Sequence, residues 1–267
     1  MTSRRIMAWP LMGVLTVYLA NAPAAAAADA FDARSLLDDT AQYFTAPIRW
    51  DGGDWMQFGV SMVAIGVAHE FDRNTRRHFV RNSADALNGK DKHSTRDALP
   101  AAALVAGTFA YAVALGDSDG YSETRALLEA GVFSAASGEL LKLATGRVRP
   151  NLTASPDRWR AGGDSFPSVH SSAAFAIGTV FAESGNDEYR WIRRIVGYGI
   201  ASGTSLIRVH DNVHWLSDSV AGAALGIATA RFILNRQDSG SRSKLAAIQL
   251  QPVNDGWMLS YTVPINP

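Results

Sequence analysis

Between residues 55 and 234 the chain carries six blocks rich in Ala, Val, Leu, Ile and Gly. They fall at roughly 55–70, 98–116, 124–145, 170–184, 191–208 and 214–234, and each is bounded by polar residues, glycine or proline. Apolar stretches of this length with this punctuation read as helices, because buried strands seldom run beyond about 8 residues. Six such helices can hide their apolar sides only against one another, which predicts an all-α, six-helix bundle. A polar stretch, 72–97, links the first two blocks, and a long loop, 146–167, separates the third from the fourth. There is no internal repeat.

The same blocks bear on the membrane. The uncharged runs 55–68, 171–182, 195–207 and 219–230 are shorter than the roughly 20 residues a hydrocarbon crossing takes. Only 98–116 approaches that length, and Pro100 lies inside it. A mean hydropathy of −0.02 is also low for six spans. The expectation is a bundle outside the bilayer, able to rest on its surface.

The two ends of the chain differ from the middle. Arg4 and Arg5 precede a short apolar stretch, 6–20, and a small-residue segment, NAPAAAAADA, which together read as a signal peptide over residues 1–28. Export to a periplasm follows from that reading. Residues 29–235 form the helical domain, and 236–267 a linker followed by a β-hairpin. There IQLQPV and WMLSYTV flank Asn254-Asp255-Gly256, with Trp257, Leu259, Tyr261 and Val263 alternating. A lone hairpin is marginal, so this one is expected to pack on the bundle.

Charge and composition exclude several classes of chemistry. Lys plus Arg number 25 and Asp plus Glu 25, so no basic excess points to nucleic acid. Cysteine is absent, which removes disulfides, thiolate metal sites and cysteine nucleophiles.

What remains gathers at helix ends. KLATGRVRP ends the third block with Lys142, Gly146 and Arg149; PSVH, residues 167–170, opens the fourth; RVHDNVHWLSD carries Arg208, His214 and Asp218 between the fifth and sixth. Taken singly, each has a bland explanation. Lys142 suits a helix C-terminus, Ser168 is a good N-cap, and His214 and Asp218 lie four apart on one helix face. Taken together, three cations, two histidines and a helix N-terminus describe a site for an anion, and the donors suit a phosphate. Asp218 would hold the Nδ1–H of His214 and leave its other nitrogen as the nucleophile. His170 would protonate the departing oxygen, while Ser168 and the Val169 backbone hold an oxyanion. The flanking cations attract an anion and repel a metal ion, so His210, Asp211, His214 and Asp218 are not read as metal ligands, and no cofactor is expected.

Lys142 with six residues before Arg149-Pro150, then PSVH, then Arg208 with five residues to His214 and three to Asp218, resembles the motif set of the type 2 phosphatidic acid phosphatase superfamily. The resemblance covers about residues 126–234. It implies a metal-independent phosphatase acting through a phosphohistidine on His214, with Lys142, Arg149, Ser168, Val169 and Arg208 around the phosphate. The implied substrate is a phosphorylated lipid or a small phosphate ester; the haloperoxidase branch of the superfamily would use the same pocket for vanadate. The membrane members share the six-helix order, which implies membrane contact with the site outside the cytoplasm. Two positions depart from the pattern: Val169 replaces the motif glycine and Ile207 the serine before Arg208.

Overall fold

A computed structural model describes residues 33–82, 94–115, 117–185, 187–245, 248–253 and 256–261. Residues 1–28, expected to be a signal peptide, and Asn254 and Asp255, expected to form the hairpin turn, lie outside the described residues. Seven α-helices occur among them: α1 Ala33–Thr45, α2 Gly52–Asn82, α3 Ser94–Leu115, α4 Ser118–Thr145, α5 Val169–Glu183, α6 Arg190–His210 and α7 Leu216–Leu245. A described C-terminal pair, β1 Ile248–Val253 and β2 Gly256–Tyr261, is antiparallel with Val253 opposite Gly256.

The expected count of six is therefore corrected to seven. The additional helix, α1, has no apolar block because it docks through polar tips and one aromatic ring. Asp39 pairs with Arg125 of α4 at 2.9 Å and with Arg236 of α7. The Tyr43 hydroxyl meets Ser137 Oγ at 3.0 Å and Thr229 Oγ1 at 2.7 Å, and its ring lies 5.1 Å from that of Phe133.

Helix α2 also outruns its apolar block. It continues to Asn82, well into the stretch read as a polar link. Apolar periodicity stops near Phe71 because the last turns face a polar loop rather than the core: Arg73 pairs with Asp157, and Arg76 Nε donates to the Pro150 carbonyl at 2.8 Å.

The core gathers around α5. Ala174, Ala176, Ile177 and Val180 are buried against Ala126, Leu127, Ala130 and Phe133 of α4, Ala201 of α6, and Ala230 and Ile233 of α7. Small residues let these helices cross closely. A Cβ on Gly226 of α7 would stand 2.3 Å from the Ser172 carbonyl oxygen of α5, well inside contact distance. The crossing sets the N-termini of α5 and α7 side by side. Outward, α2 and α6 expose large apolar side chains, among them Met56 (68% exposed), Val63, Trp191 and Ile195 (66%). One described helix segment, Thr95–Leu115, is long and apolar enough to cross a membrane by length and composition.

Candidate active site

The site is assembled from three chain reversals. The first ends α4. Gly146 takes the left-handed conformation (φ 55°) and returns its N–H to the Lys142 carbonyl at 2.9 Å. Beyond it the 146–167 loop is stitched to itself rather than loose. Val148 N–H donates to Arg158 O at 2.9 Å, Gly163 N–H to Gly146 O at 3.0 Å, and Ser165 N–H to Arg147 O at 2.9 Å. Any Cβ at Gly163 would stand 2.0 Å from that Arg147 oxygen, so only glycine fits. The fold-back lays Asp164 and Ser165 beside Arg147 and Arg149.

The second reversal opens α5. Ser168 is its N-cap, with Oγ accepting from Ser171 N–H at 3.4 Å, and it is fully buried. The Ser168 N–H is bonded to the Asp218 carbonyl at 3.0 Å. Ser168 thus serves as cap and tie, and the donors this turn can offer an anion include the Val169 N–H, which has no carbonyl of its own helix to bond. The Val169 side chain is buried against Gly138, whose added Cβ would lie 2.8 Å from Val169 Cγ2.

The third reversal joins α6 to α7. Asn212 turns the chain with φ 56°, and the N–H groups of Val213 and His214 both return to the Arg208 carbonyl at 3.3 Å. The five-residue spacing between Arg208 and His214 is the length of this turn. Arg208 is itself buried and donates through Nη1 to Asp97 of α3 at 2.7 Å. Ile207, the other departure from the motif, faces outward.

Asp218 does not hold His214 in the way expected. Its Oδ2 stands 3.6 Å from His214 Nδ1, beyond hydrogen-bond reach. The carboxylate is taken by other donors: the Trp215 N–H at 2.9 Å, Ser165 Oγ at 2.5 Å and Arg147 Nη1 at 2.5 Å. Asp218 occupies the third position of α7 and reaches back over its first turn, as in a capping box. Burial pushes its carboxyl above the usual range, against the pull of Arg147, Ser165 and Trp215.

The acceptor for His214 is the Ser165 carbonyl, 2.8 Å from Nδ1. A carbonyl oxygen can only accept, so Nδ1 carries the proton and Nε2 is the bare nitrogen. Burial holds the His214 imidazolium well below its ordinary value of 6.5, and the charges of Arg149, Arg208, Lys142 and His170 push it further down. Those four groups are the three cations and the other histidine of the sequence motifs, and the charge of each bears on this ring. Two of them are held by carboxylates that face solvent: Arg149 by Asp164 through two bonds of 2.8 and 3.0 Å, and Lys142 by Glu139 at 3.1 Å. Crowding raises the Asp164 carboxyl, but Arg149, with Lys142 and His214 behind it, reverses this and leaves it below the usual range.

Sequence reasoning missed the floor of the site. Arg147, fully buried, donates to Asp218, to Ser217 Oγ at 2.8 Å, to Asp72 Oδ2 at 2.7 Å and to His69 Nδ1 at 3.0 Å. Its guanidinium lies 4.4 Å from the Trp159 ring. Asp72 of α2 also takes the Ser217 N–H at 2.9 Å and hydroxyl at 2.6 Å, so α2 clamps the start of α7. The available signal was a lone Asp at the end of an apolar block, and an arginine two residues before a motif arginine.

Comparison with known proteins agrees with the motifs. Residues 124–239 match the profile of the PAP2 superfamily. Over 86 residues the chain is 38% identical to the lipid A 1-phosphatase of Porphyromonas gingivalis, a match covering 32% of this chain and 17% of that relative. This chain therefore spans well under two thirds of the length of the curated relative it matches. Among solved structures, the transmembrane PAP2 type phosphatidylglycerolphosphate phosphatase from Bacillus subtilis aligns with a TM-score of 0.40 at 18% identity. That alignment covers 85% of this chain and 96% of the other.

Proposed function

Because residues 124–239 match the PAP2 superfamily profile, we propose that the chain is a metal-independent phosphatase that hydrolyses a lipid phosphate through a phosphohistidine on His214. The observation that carries this reading is the fixed tautomer: Ser165 takes the Nδ1–H, so Nε2 offers its lone pair among Lys142, Arg149, Arg208 and His170. A neutral imidazole in a ring of cations is arranged to attack an anion that those cations bind.

Nε2 attacks phosphorus in line with the ester oxygen. The P–O bond breaks, and the leaving oxygen takes a proton from His170 at the mouth of α5. Lys142, Arg149, Arg208 and the Val169 N–H hold the phosphoryl oxygens, where positioning and charge stabilisation do most of the catalysis. Arg149 and Lys142 reach the phosphate by exchanging their exposed carboxylate partners for it. Water then attacks the phosphohistidine, and His170 takes up the proton it gave. Asp218 acts through Ser165, tying down the residue whose carbonyl sets the tautomer.

A lipid phosphate is favoured over a small ester by the apolar side chains exposed on α2 and α6, which suit contact with a bilayer. The relative's name, lipid A 1-phosphatase, points the same way. An exported protein with its site outside the cytoplasm fits this reading.

The deciding experiment is His214→Ala. Turnover of a phosphatidic acid and phosphatidylglycerol phosphate panel should disappear while far-UV circular dichroism stays unchanged. Rapid acid-free quenching of the wild type should trap acid-labile, base-stable phosphate on the protein. Phosphate recovered on serine, or full activity in the variant, would remove His214 from the nucleophile's role.

A further inference from the structure

Between α2 and the 146–167 loop, an open cavity of about 420 Å³ is lined by Arg73, Arg76, Arg77, Ala154 and Ser155. The three arginines lie on one face of α2 at i, i+3 and i+4, where like charges repel one another. Among the described residues one carboxylate bonds to them: Asp157, held below its usual range by bonds from His69 and Arg73. Arg77 bonds within its own helix, to the Arg73 carbonyl and to Asn74 Oδ1 at 2.5 Å, and neither contact neutralises it. Among the described residues, three guanidinium groups against one carboxylate leave an excess of two positive charges at an open cavity. A bound anion would relieve that repulsion.

The cavity is tied to the reaction centre by two routes. Arg76 Nε donates to the carbonyl of Pro150, the residue after Arg149. His69, seven residues earlier on the same helix, contacts Arg147 beneath His214. At a rise of about 1.5 Å per residue, the basin lies on the order of 10 Å along α2 from that contact. We propose that the Arg73–Arg76–Arg77 cavity is a second anion subsite that receives the second phosphate of a doubly phosphorylated substrate whose first phosphate sits at His214. The proposal rests on the phosphatase reading above and narrows its substrate class. Arginine is suited to the task, since its planar fork binds phosphate through paired, charge-assisted hydrogen bonds.

The same chemistry has a second source. The exposed apolar side chains of α2 end at Phe71, just before the basin, so a bilayer phosphate could reach it too. The experiment compares decyl phosphate with decane bisphosphate as substrates of the full chain, wild type and Arg77→Gln. Arg77 is exposed, so its replacement should leave the fold intact. Wild type should prefer the bisphosphate in kcat/KM, chiefly through KM, and Arg77→Gln should reduce that ratio by about ten- to a hundredfold. A ratio near one in wild type, or an equal ratio in the variant, overturns the subsite while leaving the phosphatase reading standing. If wild type hydrolyses neither compound, that reading falls. Calorimetry of His214→Ala then tests the basin alone: tighter binding of the bisphosphate, lost on adding Arg77→Gln, supports it, and equal affinities refute it. Weaker flotation of Arg77→Gln with phosphatidylglycerol vesicles, at an unchanged substrate ratio, assigns the basin to the bilayer and overturns the substrate proposal.

Discussion

Arg147 and Arg149 are two residues apart and belong to opposite kinds of structure. Arg147 and its carboxylate partners, Asp72 and Asp218, have fully buried side chains. Every direction around its guanidinium ends in a carboxylate, a carbonyl, a hydroxyl, an imidazole or an indole ring. Arg149 is paired as tightly, yet its partner Asp164 is 62% exposed, and Glu139 opposite Lys142 is 58% exposed. A buried pair cannot be parted without leaving a charge in a dry interior. A pair with one wet member can be parted at little cost, because water solvates the displaced carboxylate. The floor of the site is therefore built to stay, and the rim to exchange partners with a phosphate.

The largest effect should come from the floor. Arg147→Ala leaves Asp72 and Asp218 uncompensated and should cost about 3–5 kcal/mol by chemical denaturation; a loss below about 1 kcal/mol would erase the distinction drawn here. On the rim the balance should invert. Arg149→Ala should change stability by less than about 1 kcal/mol while lowering kcat/KM about 10²- to 10³-fold. Comparable losses of stability at the two arginines would make the rim structural.

A smaller effect lies in the pH dependence of stability. The folded His214 resists protonation, whereas the unfolded imidazole takes a proton below its ordinary value of 6.5. The unfolded state then binds more protons, so stability should fall as pH drops below about 6.5 and be flat in this group above it, with a slope of at most about 1.4 kcal/mol per pH unit. Denaturation of His214→Ala across pH 5 to 8 should show a shallower acid limb than wild type. Equal limbs would mean that burial does not keep the folded ring neutral.

The smallest effect belongs to Asp164→Asn, which removes the carboxylate that a substrate phosphate must displace from Arg149. Inhibition by inorganic phosphate should tighten a few-fold. Weaker inhibition would show that Asp164 positions Arg149 instead of yielding it.

What was legible in the sequence and what was not follow the same division. Lys142, Arg149, His170, Arg208 and His214 were visible because their spacings are local turn lengths: a helix end, a helix start and a five-residue reversal. Gly146 announced the end of α4 for the same reason. Asp218 was visible as a position, but its partners were not, since Ser165 and Arg147 reach it across 53 and 71 residues. Asp72 and Asp97 were passed over as the ends of a polar link. They are buried because distant chain, Arg147 and Arg208, returns to meet them. Helix α1 escaped notice because it carries no long apolar block and docks largely through Asp39 and Tyr43.

The contact between Val169 and Gly138 has a consequence for how this turn can vary over generations. The bulk that the motif ordinarily keeps out of the α5 mouth is admitted here because α4 has a hollow facing it. Neither position can drift alone. A side chain at 138 collides with the valine, and a glycine at 169 leaves the hollow empty. The two sites are heritable as a couple, so a lineage that regained glycine in the turn would at once release the facing helix to acquire a side chain.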